Sequence, residues 1–384
     1  MGFLRKLNLY LFNIFIIFFL FGCTKPLIVK NVLNDQPCNR MFGGIPQRDF
    51  YIPQNLSDSL SLKWIAETQG NFSNTSVVIY DSLLFTADLS GRIYAFSTTT
   101  GKILGDEKYK GAIAAAPLLY MSRLIFVLNE FDEYYSTLII FDYYTGKKIH
   151  ETEIPGKVNN ELILLNNGIM VLTEKGEVIK YNLVGYKEWS ISTKSLSLGS
   201  PALKDNIFVF GNMDGELVAV DIDNQKIKYR KKLSEGFSSG ISISGNYGFI
   251  GDKNGNLYCI DLNRGNTYWI FNTGILITSI PVTDGASVFC GNIEGDIYSI
   301  NLSNGKMNWK INTEGAINAP PLVFNNYLVQ PDINKKVHII AKQNGQIIRV
   351  LEFEKRVKMC PVFFDNTLYF GVDDGEIYAY EIVE

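Results

Sequence analysis

The sequence predicts an all-β fold, an eight-bladed β-propeller of four-stranded antiparallel blades. Three observations indicate this fold. A phrase of about 40 residues recurs eight times after residue 60. Each copy reads as short apolar runs separated by turn residues, and the last copy lacks one run that an N-terminal segment supplies. One four-stranded sheet cannot cover both of its faces, whereas radial packing of several such sheets covers them.

The composition agrees with a globular β protein. Of 384 residues, 46% are hydrophobic and 20% are charged, which excludes a disordered, collagen-like or coiled-coil chain. Lys and Arg number 36 against 39 Asp and Glu, so the chain has no basic excess and we expect no nucleic-acid partner. The two histidines, His150 and His338, have no visible partner acids and leave little material for histidine-based catalysis.

The first residues have the layout of a secretory signal. Arg5 and Lys6 precede an almost wholly apolar stretch, 7–21, which is shorter than the ~20 residues that a membrane-spanning helix needs. A plain signal or a retained anchor is the alternative interpretation. Residues 20–23 resemble a bacterial lipobox. This resemblance implies that residues 1–22 are removed as a lipoprotein signal peptide and that Cys23 carries the lipid that binds the membrane. Thr24 fits sorting to the outer membrane.

A turn glycine followed by an alternating apolar run anchors each repeat. Five copies are clear, beginning at Gly91, Gly215, Gly255, Gly295 and Gly375. A weaker copy begins at Gly176, and two degenerate copies that lose the glycine begin at Ser136 and Lys335. Successive anchors are 45, 40, 39, 40, 40, 40 and 40 residues apart. Eight anchors therefore predict eight blades.

Turn dipeptides and tryptophans recur at fixed sequence distances from the anchors. Asp214-Gly215 and Asn304-Gly305 are typical of tight hairpins in which both turn residues take positive φ. The four tryptophans share one repeat position: Trp64, Trp189, Trp269 and Trp309. We interpret them as residues that pack between blades, because a cofactor sandwich would lie at the hub and not in every outer strand.

The N-terminal strand is predicted to close the ring. The last unit has three runs, at 361–364, 367–371 and 377–382, and lacks an outermost strand. The run 62–66 carries Trp64 in the outermost-strand phase, so it should complete the last blade and remove two exposed sheet edges. The expected organisation is a signal peptide over 1–22, a lipidated tether over 23–60 and the propeller over 61–384.

The repeated phrase resembles the quinoprotein-type (PQQ-like) propeller repeat. Its clearest copies are Thr100-Gly101-Lys102 and Asn304-Gly305-Lys306-Met307-Asn308-Trp309. Eight such repeats after a lipobox resemble the propeller lipoproteins of the β-barrel assembly machine in bacterial outer membranes. That resemblance implies a non-enzymatic periplasmic scaffold without a cofactor, anchored in the outer membrane through the Cys23 lipid. The implied partner is the set of periplasmic domains of the assembly barrel.

A short segment between the third and fourth units, Ser195-Leu196-Ser197-Leu198-Gly199, is the candidate docking element. From the residues alone, the two leucines either extend a strand and bury one face or present an apolar pair. The assembly lipoproteins have a similar Ser-Leu-Ser-Leu segment in a docking loop, and the resemblance implies that Leu196 and Leu198 bind the partner. Gly199 stands where the family has an arginine, and 235–239 does not match the family's acidic pair.

Two other functions stay open at this point. A propeller of this type could serve another envelope complex or bind a ligand such as a polysaccharide. A PQQ-dependent dehydrogenase would need calcium ligands and often has a pair of adjacent cysteines, and the sequence has no adjacent cysteines. Hairpin geometry explains the acids at the turns, such as Asp252 and Asp374, so we expect no metal site.

Overall fold

The computed structural model describes residues 25–30 and 38–383. This part of the chain is all β apart from one 3-10 turn, Asp373–Gly375. Its strands form eight separate sheets that stand around a central channel as the blades of a propeller, which confirms the predicted fold class. The predicted signal peptide and lipid-bearing Cys23 lie outside the described residues.

The blades are numbered in chain order, and each runs from an inner strand at the channel to an outer strand. The inner strands are Val78–Tyr80, Leu118–Tyr120, Ile163–Leu165, Ala202–Lys204, Ser242–Ser244, Val282–Thr283, Leu322–Val323 and Val362–Phe364. The second strands are Leu83–Ala87, Arg123–Glu130, Gly168–Leu172, Ile207–Gly211, Tyr247–Gly251, Ser287–Gly291, Tyr327–Pro331 and Thr367–Gly371.

The third strands are Arg92–Ser97, Ser136–Asp142, Glu177–Tyr181, Glu216–Asp221, Asn256–Asp261, Asp296–Asn301, Lys336–Ala341 and Glu376–Ile382. The outer strands of blades 1 to 7 are Ile103–Lys108, Lys147–Ile154, Lys187–Ser192, Lys226–Lys232, Asn266–Asn272, Met307–Asn312 and Ile347–Glu352. Two short strands extend the first two blades: Cys38–Asn39 pairs with Val78–Tyr80, and Gly111–Ala112 pairs with Arg123–Glu130.

Strand Leu60–Glu67 is the outer strand of blade 8, as predicted. It pairs antiparallel with Glu376–Ile382, from Leu60 opposite Ile382 to Glu67 opposite Glu376. The register shifts between Leu62 and Trp64. The first and last described strands of the ring therefore share one sheet, and neither leaves an unpaired edge toward the other.

Burial depends on the position of a strand within its blade. Ile207–Gly211, a second strand, is buried along its whole length, because the neighbouring blades cover both of its faces. Lys226–Lys232, an outer strand, begins with three exposed residues and then alternates between half-buried and exposed residues. Continuous apolar runs in the sequence therefore belong to the inner part of a blade, and alternating polar runs belong to its rim.

The turns that precede the third strands are not the predicted two-residue hairpins. In blade 4 a four-residue loop, 212–215, connects the strands, and of Asp214-Gly215 only the glycine takes positive φ, 76°. The loop is closed by Asn212, whose Oδ1 accepts a hydrogen bond from the Glu216 backbone N at 2.8 Å. In blade 5 the Asp252 Oδ1 accepts the equivalent hydrogen bond from the Asn256 backbone N at 2.7 Å. In these two blades a capping Asp or Asn side chain thus replaces the second left-handed residue. In blade 8, where Val372 holds the capping position, Asp374 and Gly375 both take positive φ, 63° and 82°.

Residues 38–56, named the plug below, lie in the central channel. Carbonyl oxygens of the plug accept hydrogen bonds from the inner strands of four blades: Leu119 N to Arg40 O at 2.9 Å, Leu203 N to Pro46 O at 2.9 Å, Ile243 N to Gln47 O at 2.9 Å, and Val323 N to Phe50 O at 3.0 Å. The sequence suggested only a tether for this part of the chain. Among the residues that the structure describes, none forms a helix with the length and apolarity of a membrane span.

Candidate partner-binding site

The connections between blades surround a funnel at one mouth of the channel. The funnel has a volume of about 580 Å³. Seven blades contribute the same repeat position to its wall, the residue four before the inner strand: Asn74, Ala114, Asn159, Leu198, Ser238, Thr278 and Asn318. Most of these side chains are polar. The repeat therefore builds a ring of small polar groups in which Leu198 is the large apolar exception.

The plug forms part of the funnel floor. Phe42 lines the floor together with Glu161 and Cys360, and its ring packs edge-on against Phe50 with the centroids 5.1 Å apart. Beneath them lies Arg48, which is fully buried. Its guanidinium donates hydrogen bonds to backbone carbonyl oxygens of the plug and of blades 3 and 4: Phe42, Glu161, Leu162 and Pro201. One arginine thus fixes the plug to two blades.

Glu161 is the ionisable group of the floor. Burial raises the pKa of this carboxyl to about 7, and the positive charge of Arg48 opposes the rise. Burial lowers the pKa of Arg48 to about 10. The Oε2 atom of Glu161 accepts a hydrogen bond from the Ala116 backbone N at 2.8 Å. The floor of the funnel therefore carries an acid that changes its charge near neutral pH.

Leu196 and Leu198 both face solvent. They are 47% and 58% exposed, while Ser195 and Ser197, which alternate with them, are fully buried. The segment is not a strand of a sheet. The expectation that the leucines extend a strand and bury one face is therefore wrong, because the serines supply the buried side. Leu198 lines the funnel.

Hydrogen bonds hold the leucine segment in place. The Ser197 Oγ donates to the Gly211 carbonyl oxygen at 2.9 Å, and the Ser197 backbone N donates to the Glu174 carbonyl oxygen at 3.0 Å. The Leu196 carbonyl oxygen accepts from the Met213 N at 2.8 Å. Buried polar contacts of this kind fix a backbone while leaving its apolar side chains free for a partner.

Gly199 has a structural reason to be a glycine. A Cβ atom at this position would collide with the backbone carbonyl of Ser239, in the connection between blades 4 and 5. The arginine of the family pattern therefore does not fit at this position in this chain. Ser238, from the region without the family's acidic pair, lines the funnel beside Leu198.

The tryptophans lie at the joints between blades. The indole Nε1 of Trp269 donates to the Leu302 carbonyl oxygen of the next blade at 2.7 Å, and a Cβ atom on Gly305 would lie 2.8 Å from its ring. Trp64 and Trp309 make the equivalent bonds to Thr98 and Lys342. Tyr229 takes this place in blade 4, where its hydroxyl donates to the Leu262 carbonyl oxygen at 2.9 Å. Trp189, half-buried, packs against a cluster that joins blades 3 and 4.

Two groups of residues at this site are not predicted by the sequence pattern. The plug residues Phe42 and Arg48 have no repeat phase, so no periodicity marks them. Glu161 lies two residues before the inner strand Ile163–Leu165, where the other blades carry no acid, and this departure from the repeat was the available signal. Within residues 25–30 and 38–383, no three His, Cys, Asp or Glu side chains are grouped so that they could hold a metal ion.

A family model described as outer membrane protein assembly factor BamB matches residues 89–311 and, in an overlapping second match, residues 253–382. The two matches together cover well over half of the chain. No curated protein sequence matches it.

Many solved structures are similar, and three of them illustrate the range. BamB from Moraxella catarrhalis is 18% identical, with a TM-score of 0.70 over 84% of this chain and 97% of that chain. The computationally designed Ika8 protein is 16% identical, with a TM-score of 0.71 over 82% and 98%. A europium-containing methanol dehydrogenase is 10% identical, with a TM-score of 0.74 over 90% and 98%. At these identities the structures show a shared fold, and the family model alone shows the family.

Proposed function

Because the chain belongs to the family of the outer membrane protein assembly factor BamB, we propose that it is a non-enzymatic scaffold of the machinery that assembles β-barrel proteins in the outer membrane. In this proposal a lipid on Cys23 anchors it, and the propeller stands in the periplasm. The funnel face binds the periplasmic domains of the assembly barrel through Leu196 and Leu198.

The observation that carries the proposal is the exposed leucine pair on a fixed backbone. Two large apolar side chains project from a connection whose serines are buried and hydrogen-bonded. Exposed apolar groups on a rigid frame are typical anchors for a groove or a sheet edge of a partner. Since little ordering is needed when such a pair binds, little of the contact energy is lost.

The filling of the hub supports a scaffold over a dehydrogenase of the same fold. The alternative function, a PQQ-dependent dehydrogenase, would bind a flat cofactor at the hub. In this chain Phe42, Phe50 and Arg48 of the plug lie there. Because the plug occupies the hub, the space left for a cofactor is the funnel above it, whose floor the plug partly forms. The shared fold with a methanol dehydrogenase carries no activity to this chain.

The experiment is a binding titration with the purified periplasmic domains of an assembly barrel. We expect the double variant Leu196→Asp, Leu198→Asp to bind about 100-fold more weakly, because two anchor side chains are lost and two charges enter the interface. The control is Ile270→Asp, which changes a side chain that is 52% exposed on the outer strand of blade 5.

Retained binding by the double variant would remove this face from the proposal. An equal loss with Ile270→Asp would show that any added charge weakens binding, which also counts against the site. Melting curves accompany the titration, since a collapsed fold in the double variant would assign the leucines to stability instead.

A further inference from the structure

One joint between blades lacks the side chain that fills the others. Each blade has a register shift between its third and outer strands, and the outer-strand residue next to this shift occupies the joint to the next blade. In order from blade 1 to blade 8, these residues are Gly105, His150, Trp189, Tyr229, Trp269, Trp309, Arg349 and Trp64. All of these have large side chains except Gly105 of blade 1. The joint between blades 1 and 2 therefore has room that its own blade does not fill.

Residues 25–29, named the clip below, fill this joint. A side chain at Gly105 would collide with Pro26 and Leu27. Leu27 is fully buried in a cluster formed by residues of blades 1 and 2. The Asp106 backbone N donates to the Lys25 carbonyl oxygen at 2.9 Å. The chain N-terminal to the plug is thus built into the outer rim.

The clip reproduces the contacts of a joint tryptophan. Ile28 covers Gly146, the turn glycine of blade 2, as Trp269 covers Gly305 of blade 6. The Val29 backbone N donates to the Tyr143 carbonyl oxygen at 2.8 Å. Tyr143 lies three residues before its turn glycine, the position of the carbonyl that accepts the indole N–H in the other joints. The clip has the same hydrogen bond and the same packing surface, supplied by a different part of the chain.

This placement limits the distance between Cys23 and the rim. A chain spans at most about 3.6 Å per residue, so the two steps from Cys23 to Lys25 reach about 7 Å. We infer that the clip holds the propeller edge-on, with the outer rim of blades 1 and 2 against the lipid leaflet. The inference rests on the proposed lipid on Cys23 and deepens it, because it names the surface that faces the membrane.

The exposed groups of this rim suit a lipid interface. Ile28, Tyr144 and Ile149 are 42%, 44% and 45% exposed. The exposed Lys30 follows the clip directly, and the exposed Lys147 follows Gly146. Apolar and aromatic side chains beside lysines are the composition that binds at lipid headgroups. With this edge on the leaflet, the axis of the propeller lies along the membrane plane, and the funnel opens sideways, toward the periplasmic parts of neighbouring membrane proteins.

The test places one fluorescent amino acid, genetically encoded, at position 144 or at position 270 of the full lipidated chain. Position 270 lies on the outer strand of blade 5, across the ring from blade 1. The protein is bound to vesicles of phosphatidylethanolamine and phosphatidylglycerol that contain a headgroup-attached quencher. We expect the lipid quencher to reduce emission at 144 by about twofold or more relative to emission at 270.

Two variants separate the clip from the lipid. A six-residue Gly/Ser insertion between Thr24 and Lys25 leaves the propeller unchanged and should bring quenching at 144 down to the level at 270. Leu27→Asp should do the same by releasing the clip. Equal quenching at the two positions in the parent protein, or an unchanged ratio in the insertion variant, would overturn the inference. Absence of the parent protein from the vesicles would instead overturn the proposed lipid anchor.

Discussion

At the scale of single residues, Trp309 shows what a joint side chain contributes. It is 9% exposed, donates to the Lys342 carbonyl oxygen at 2.9 Å and lies beside Phe289, with the ring centroids 6.1 Å apart. We expect Trp309→Ala to lower the free energy of unfolding by about 3–5 kcal/mol, because it removes a large buried side chain and leaves a cavity between blades. Urea titration followed by circular dichroism measures this loss.

The matched control for Trp309 is an aromatic residue on the rim. Tyr268, on the outer strand of blade 5, is 55% exposed, and Tyr268→Ala should cost less than about 1 kcal/mol. Similar small losses for both variants would contradict the role of Trp309 in the joint.

Glu161 gives the protein a predicted pH dependence. Its pKa is about 7 in the folded chain, against an ordinary value of 4.5, so folding favours the neutral acid. The stability from this group is fully present below pH 4.5 and is lost as the pH rises through 7. The loss amounts to at most about 3–4 kcal/mol, because each unit of change in the pKa corresponds to about 1.36 kcal/mol.

The variant Glu161→Gln isolates this contribution, because the amide cannot ionise and keeps an oxygen for the Ala116 backbone N. We expect wild-type stability to fall relative to that of Glu161→Gln between pH 4.5 and pH 7.5, as measured by urea unfolding at several pH values. A difference between the two proteins that stays constant with pH would show that folding does not raise the pKa of the Glu161 carboxyl.

His338 shows what the repeat could have revealed at this scale. The expectation that it has no partner acid is wrong, since His338 is buried and its Nε2 lies 2.9 Å from the Asp332 Oδ2. In blade 5 the same two repeat positions hold Tyr258 and Asp252, joined by a hydrogen bond of 3.0 Å. Aligning the repeats would have paired the histidine with its acid, because both residues keep a fixed distance from the anchor.

At the scale of elements, Leu60–Glu67 and the plug make separate contributions that truncation can distinguish. A chain that begins at residue 57 lacks the plug and keeps the closing strand, whereas one that begins at residue 68 lacks both. We expect the first to melt at a lower temperature than the mature chain, since Arg48 and Phe50 are lost from the hub. The second should lose cooperative unfolding or aggregate, because Glu376–Ile382 then has an open edge.

Differential scanning calorimetry and light scattering of the two truncated chains measure these effects. Equal melting temperatures for the chains beginning at 57 and 68 would show that the closing strand adds nothing to the ring. Equal temperatures for the mature chain and the chain beginning at 57 would show the same for the plug.

The predictability of an element depends on whether it repeats. The blades were predictable, including the closure by Leu60–Glu67, because eight copies report the same strand positions. The turns were wrong in type, since Asp214-Gly215 favours a tight hairpin locally while the capping Asn212 selects a longer loop. The plug and the clip occur once each. Their shape is set by the hub and by the gap at Gly105, which exist only after the blades assemble.

At the scale of the whole molecule, the candidate site was predictable only as a segment. The sequence singled out Leu196 and Leu198, but their exposure depends on Ser195 and Ser197, whose hydroxyl groups form hydrogen bonds with Arg230 and Gly211 of blade 4. The funnel beside them arises from one repeat position brought together by the ring. No local pattern contains that arrangement, because its residues are tens to hundreds of positions apart in the chain.

The pairing of Leu60–Glu67 with Glu376–Ile382 also sets the order in which the molecule can fold. The partners are separated by nearly the whole propeller, so the chain must close a very long loop to join them, and contacts of this range form slowly. Blades 1 to 7 can form from hairpins as they are synthesised, whereas the ring closes last. Until then the newly made protein exposes two sheet edges, and in this interval we expect chaperones to determine its yield.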